Sequence, residues 1–220
     1  MAHELKQPLA AIHSNAQAAR RFLDADPPDL EEVRRALTDI EQDDRRADGI
    51  IRQLRAFIRR REIAREPVDL NAAILEAERL LRTEARGRRV AAVAQLEPHL
   101  PLVLGDPVAL RQVLLNLVLN ALDAAQRSPA GRRWVIVTTV SEPDGSVVVT
   151  VRDSGPPLPP GLAARLFEPF FTTKPDGLGL GLTLSRSLIE AHGGTLWADG
   201  NPEGGMTFGF RLPVAEGTRT

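Results

Sequence analysis

Cysteine is absent from all 220 positions, which excludes disulfides, thiolate catalysis and cysteine-ligated metals. An excess of either charge is missing too. The chain sets 28 basic residues against 29 acidic ones, a net charge of −1, so no sequence-wide field attracts nucleic acid or an anionic membrane. Any phosphate chemistry has to be local. No apolar run reaches the roughly 18 residues that span a bilayer, and the first residues lack the apolar stretch of a signal peptide. These absences lead us to expect a cytoplasmic location and no membrane contact by this segment, with room for an anchor upstream in a longer protein. What is present is ordinary: 43% of the residues are hydrophobic, enough for at least one core, and the length suits one or two domains.

Two textures follow one another along the chain. From Leu5 the apolar positions run Leu5, Leu9, Ile12, Ala16, Ala19 and Leu23, in alternating steps of four and three, the seam of a bundled helix. DADPPD breaks it, with Asp26 or Asp29 able to cap a second helix whose seam is Val33, Leu37, Ile40, Asp44, Ala47, Ile51, Leu54 and Ile58. Such a pair forms a hairpin too small to cover its own stripes, so a homodimer closing a four-helix bundle is expected. RRREIAREPVD then reads as a linker.

Beyond it, DLNAAILEAERLLRTEARG and GDPVALRQVLLNLVLNALDAAQRS read as helices, and VAAVAQLEP as a strand. WVIVTTV and SVVVTVRDS form a hairpin about PDG. Residues 156–181, rich in proline and glycine, look like a mobile lid with one short helical turn. LTLSRSLIEAHGG is a last helix, and TLWADG and MTFGFRLP are the final strands.

Few residues carry chemistry. Asn116 and Asn120 share a face of an otherwise apolar helix, where an unsatisfied buried amide costs about 1–3 kcal/mol. They are either core amides bonded to nearby backbone or neutral oxygens for Mg²⁺, an ion that keeps its waters and leans on nucleotide phosphates. Asp153 ends a strand, where a carboxylate can accept from an exocyclic amine such as adenine's. The same residues, Asp153 to Gly155, also make a common turn. Gly177, Gly179 and Gly181 open a helix and suit phosphate at its N-terminus, or are merely a flexible turn. In LFEPFFTTK, Phe167, Phe170 and Phe171 would anchor the lid, with packing the larger part for Phe167 and Phe170. Thr172, Thr173 and Lys174 are left to reach phosphate or lie solvated.

In order, these segments resemble the boxes of two-component sensor histidine kinases. HELKQPL is similar to the H-box, LRQVLLNLVLNALDAA to the N-box and DSGPPLP to the first glycine box. LFEPFFTTK is similar to the F-box, GLGLGLTLSRSLIEAHGG to the second glycine box, and PEGGMTFGFRLP to the last. The HExxQPL form is like that of nitrogen- and oxygen-responsive kinases. The resemblance implies an N-terminally truncated dimerisation and phosphoacceptor domain over residues 1–64. An ATP-binding domain would follow over 65–216, an α/β sandwich of the gyrase, Hsp90, histidine kinase and MutL type. It also implies autophosphorylation of His3 with Glu4 as its base, and ATP held by Asp153 and Gly155 at adenine and by Asn120 and Asn116 through Mg²⁺. The lid residues, the three glycines and Thr207 complete the nucleotide site, and the phosphoryl group passes to the aspartate of a response-regulator receiver domain.

With Leu5 at a d position, His3 falls at b and faces solvent, while Pro8 removes the bond to the Glu4 carbonyl and bends the helix. Glu4 can take the proton of one ring nitrogen and so raise the nucleophilicity of the other. Only two residues precede His3, so it is expected in a fraying first turn, with good ATP binding but slow autophosphorylation. Related ATPases activate water with a glutamate four residues before the asparagine matching Asn120. Asn116 stands there and cannot act as a base, which favours transfer to histidine over hydrolysis. Pro157 replaces the second glycine of its box and Lys6 an asparagine of the H-box. A dimeric scaffold that binds ATP without transferring phosphate is the rival from another class.

Overall fold

The computed structural model describes residues 2–58, 65–159, 161–172 and 179–215. Side chains are described for all of these except residues 2–7, 9, 45, 46, 48–58, 163 and 164. The chain divides into two compact units, Met1–Arg60 and Arg61–Thr220.

The first unit is a helical hairpin of α1 (Ala2–Leu23) and α2 (Leu30–Ile58). Pro8 lies inside α1 and does not end it. Asp29 starts α2, its carboxylate accepting from Glu32 N–H at 3.1 Å and its carbonyl from Val33 N–H. Pro8, Ala36 and Ala47 are buried within the hairpin. Leu37, which the spacing assigns to the seam, is 51% exposed, as are Leu23 at 52% and Leu30 at 59%. The small alanine beside Leu37 fills the narrow space between two helices, and the leucine points outside it. His3 and Glu4 lie in the first turn of α1, and their side chains, like those of Leu5, Leu9, Ile51, Leu54 and Ile58, are outside the described residues.

The second unit is a two-layer sandwich. Its sheet contains β2 (Ala91–Gln95), β4 (Trp134–Glu142), β5 (Ser146–Asp153), β6 (Thr195–Gly200) and β7 (Met206–Pro213), in the order β2-β4-β5-β7-β6. Among the described strand pairs of this sheet, β2 and β4 run parallel and the others antiparallel. Alternate residues Val135 and Val137, Val147, Val149 and Val151, and Phe208, Phe210 and Leu212 are buried on one face. That face is covered by α3 (Leu70–Gly87), α4 (Pro107–Ala125) and α5 (Gly181–Ala191). The segment read as a linker contributes β1 (Glu66–Val68), antiparallel to β3 (Val103–Gly105), a pair too short for a period to reveal.

Helix α4 is the centre of the core. Asp106 caps it, accepting from Val108 N–H at 2.8 Å and Ala109 N–H at 3.2 Å, and Pro107 occupies the first helical position, where no N–H is needed. By length and composition α4 would suffice to cross a membrane, yet Leu110, Val113, Leu117, Ala121 and Leu122 are fully buried in the domain.

Candidate functional site

The site begins with the end of β5. The side chain of Asp153 alternates inward with Val149 and Val151 and is fully buried. Its Oδ1 accepts from Gly155 N–H at 2.7 Å and Met206 N–H at 3.3 Å, and its Oδ2 has no hydrogen-bond partner among the described residues. Burial pushes its carboxyl up to about 6, with the two backbone donors pulling the other way. The turn after it is pinned by Trp134 N–H to Ser154 Oγ at 2.9 Å and by Ser128 Oγ–H to Ser154 O. A Cβ on Gly155 would stand 2.7 Å from Asp153 Oδ1 and 2.8 Å from the Ala124 Cβ, so only glycine lets this turn close against α4.

Four residues before Ala124 on α4 is Asn120, half-buried, and four before that is Asn116. Residues 116, 120 and 124 form one stripe of the helix, about 12 Å long at 1.5 Å per residue. At the far end of the stripe the Asn116 amide lies against the start of α5. Its Nδ2 donates to Ser185 Oγ at 2.9 Å, and a Cβ on Gly181 would stand 2.5 Å from its Oδ1. Among the described residues no side chain caps the N-terminus of α5, and its positive end faces this amide.

The phenylalanines close the base of the glycine-rich segment onto α5. A 3₁₀ turn, Ala163–Phe167, precedes them. Phe167 O accepts from Thr183 Oγ–H at 3.1 Å, and Phe167 and Phe171 pack on the core with Arg186 and Arg165 over their rings. Phe170 differs from expectation. It is 44% exposed with φ +67°, because its N–H reaches back to Gly179 O at 3.2 Å and turns the ring outward; Phe171 takes the packed place. Gly179 itself has φ +64°, and a Cβ there would come within 2.5 Å of the Phe170 carbonyl carbon. Thr172 is exposed, and Thr173, Lys174 and Gly177 lie outside the described residues.

Thr207 is not brought to Asp153. It pairs with Arg152 on the opposite face of the sheet, and its hydroxyl donates to Asn201 Oδ1 at 2.6 Å. Strand alternation gives the inward place to Met206, whose N–H is the group that meets the carboxylate. Ser185 and Met206 were both missed by sequence reasoning. The alternation of MTFGFRLP carried the signal for Met206, since Met206, Phe208 and Phe210 share a face. Ser185 left none beyond lying four residues after Gly181.

The donor set fits a nucleotide and a hard cation. An orphaned buried carboxylate oxygen at one end of the stripe suits an exocyclic amine, and an uncapped helix start at the other suits phosphate. Among the described residues no cluster of three or more histidine, aspartate or glutamate side chains offers a metal cage. The neutral amide oxygens between the two ends fit an ion that takes its remaining ligands from phosphate and water.

Residues 105–216 match the family model of histidine kinase-, DNA gyrase B- and HSP90-like ATPases, and residues 1–63 match the His Kinase A (phospho-acceptor) domain. The chain belongs to the two-component sensor histidine kinases. This kinase core is similar to sensor protein FixL of Bradyrhizobium diazoefficiens, 42% identical over 217 residues that cover 98% of this chain and 43% of FixL. It is similar also to histidine kinase ThkA as solved in complex with response regulator protein TrrA, with TM-score 0.75 and 28% identity, covering 99% of this chain and 61% of that one. A third likeness is full-length ShkA in complex with AMPPNP, with TM-score 0.72 and 26% identity, covering 96% and 46% of the two chains. The kinase core thus spans less than half the length of FixL.

Proposed function

We propose that this chain autophosphorylates on His3 with ATP and passes the phosphoryl group to an aspartate of a response-regulator receiver domain. The observation that carries the nucleotide half is the α4 stripe, with Asp153 Oδ2 unpartnered and the start of α5 uncapped at its two ends among the described residues. Asp153 accepts from the adenine amine, with the Gly155 turn closing beside the base. Gly177, Gly179 and Gly181 leave the backbone open to the phosphates, and Thr172, Thr173 and Lys174 reach them. Asn120 and Asn116 would hold Mg²⁺, which neutralises phosphate charge when bound. Thr207 is left out of this assignment, and the Met206 N–H takes a supporting place by orienting Asp153.

On the acceptor side, Glu4 takes the proton of one imidazole nitrogen while the other attacks the γ-phosphorus. A nitrogen–phosphorus bond forms, the bond to the β,γ-bridging oxygen breaks, and ADP leaves with that electron pair. No carboxylate stands four residues before Asn120 to activate water, which supports transfer over hydrolysis. The receiver partner is supported by the ThkA–TrrA complex, and a homodimer by the phosphoacceptor-domain match with the uncovered leucines of the hairpin.

The test is incubation of the chain with γ-labelled ATP and Mg²⁺. Acid-labile, alkali-stable label that is absent from His3→Ala and moves to receiver domains is expected. Nucleotide binding without label in the wild-type chain would establish the scaffold reading instead.

A further inference from the structure

His192 plays no part in the chemistry above, yet it is almost completely buried and both ring nitrogens are committed. Its Nδ1 lies 2.7 Å from Leu188 O, an atom that can only accept, so Nδ1 carries the proton. Its Nε2 lies 2.9 Å from Asp106 N–H, which can only donate, so Nε2 is the bare acceptor. One tautomer satisfies both. The ring therefore ties the C-cap of α5 to the residue whose carboxylate caps α4. Space is cut to fit it: a Cβ on Gly105, the last residue of β3, would stand 2.6 Å from His192 Cδ2.

A second polar tie joins the same two helices, Asn116 Nδ2 to Ser185 Oγ at 2.9 Å. The ties lie seven residues apart on α5 and ten apart on α4, and α5 runs back along α4 from the Asn116 end to the Asp106 end. Apolar packing between helices tolerates sliding, because ridges and grooves repeat along an axis. Two directional bonds at separated points do not. They fix both the translation and the rotation of α5 on α4.

We propose that His192 is a positioning residue for the phosphate end of the nucleotide site. Together with the Ser185–Asn116 bond it sets where the N-terminus of α5 stands relative to Asn116 and Asn120. The adenine end is held by a different element, β5, and does not depend on this tie. The inference rests on the proposed placement of phosphates at the start of α5, and it predicts a loss confined to the phosphate contribution.

The test measures adenosine and Mg·ADP affinities of the full chain by calorimetry, with thermal unfolding alongside. His192→Leu keeps the apolar volume and removes both bonds. It is expected to weaken Mg·ADP about tenfold and adenosine less than about twofold, within the hundredfold that a misplacement of about 1 Å can cost. His192→Gln restores an acceptor for Asp106 N–H and is expected to recover most of the ADP affinity. Gly105→Ala pushes the ring aside without removing a bonding group, and should give the same selective loss should His192→Leu not fold. Equal losses for both ligands, or a lower melting temperature with an unchanged ADP-to-adenosine ratio, would make the residue merely structural. A wild-type chain that binds Mg·ADP no better than adenosine would overturn the phosphate assignment together with the inference built on it.

Discussion

Folding raises the Asp153 carboxyl to about 6 because burial penalises its charge and only Oδ1 gains donors. The folded value lies above the unfolded one, so the group's contribution to stability is complete below about pH 4 and is lost as pH rises through about 6, on the order of 3 kcal/mol. The same ionisation creates the acceptor that the proposed adenine contact needs. Asp153→Asn is therefore expected to make the nucleotide-free chain more stable than wild type near pH 8, by up to on the order of 3 kcal/mol, with no gain near pH 4. It should also weaken adenosine, since an amide donor can meet the exocyclic amine. In the wild type, adenosine affinity should fall as pH drops below about 6, approaching about tenfold per unit. Urea titrations and adenosine calorimetry across pH check both; a pH-independent adenosine affinity would remove Asp153 from the adenine contact.

At the scale of elements, what the sequence made legible divides by range. The 3.6 and 2.0 periods were enough to find α1 to α5 and strands such as β4, β5 and β7, because these elements bury one face of their own; β2, exposed along most of its length, was found as a short run between turns. The asparagine pair was readable for the same reason: amides at i and i+4 in an apolar helix stand out, though only the structure shows that Asn116 is bonded to Ser185. Features set by neighbours were not legible. The pair β1–β3 is three residues a side, Thr207 and Met206 exchange faces by one step of register, and Phe170 turns outward on a bond to Gly179. Gly181 lies between the two cases: its proposed phosphate role was readable from the glycine pattern, while its clearing of Asn116 depends on packing. Gly181→Ala places a methyl group 2.5 Å from Asn116 Oδ1. Overpacking of that kind costs about 1–3 kcal/mol. The expected outcome is weaker Mg·ADP binding by about tenfold with helix content kept, read by calorimetry and circular dichroism. Unchanged affinity would mean that the amide has no place in the phosphate site.

For the molecule as a whole, the two units divide the labour unequally. Every residue of the nucleotide site described above belongs to the C-terminal unit, which has its own core, so its affinity should not depend on association of the hairpins. The hairpin is expected to depend on it. Leu23, Leu30 and Leu37 are each more than half exposed, while Pro8, Ala36 and Ala47 are the residues buried among those whose side chains are described, and burying a leucine side chain is worth about 1.5–3 kcal/mol. In the proposed homodimer a second hairpin would cover these leucines. Leu37→Glu puts a charge where the proposed partner would exclude water, and a buried unpaired charge costs more than the leucine contributed. Light scattering is expected to show a dimer for the wild-type chain and a monomer for Leu37→Glu at micromolar concentration, with Mg·ADP affinity within about twofold in both. A variant that stays dimeric would move the interface off this leucine, and one that loses nucleotide along with its partner would tie the two units together energetically.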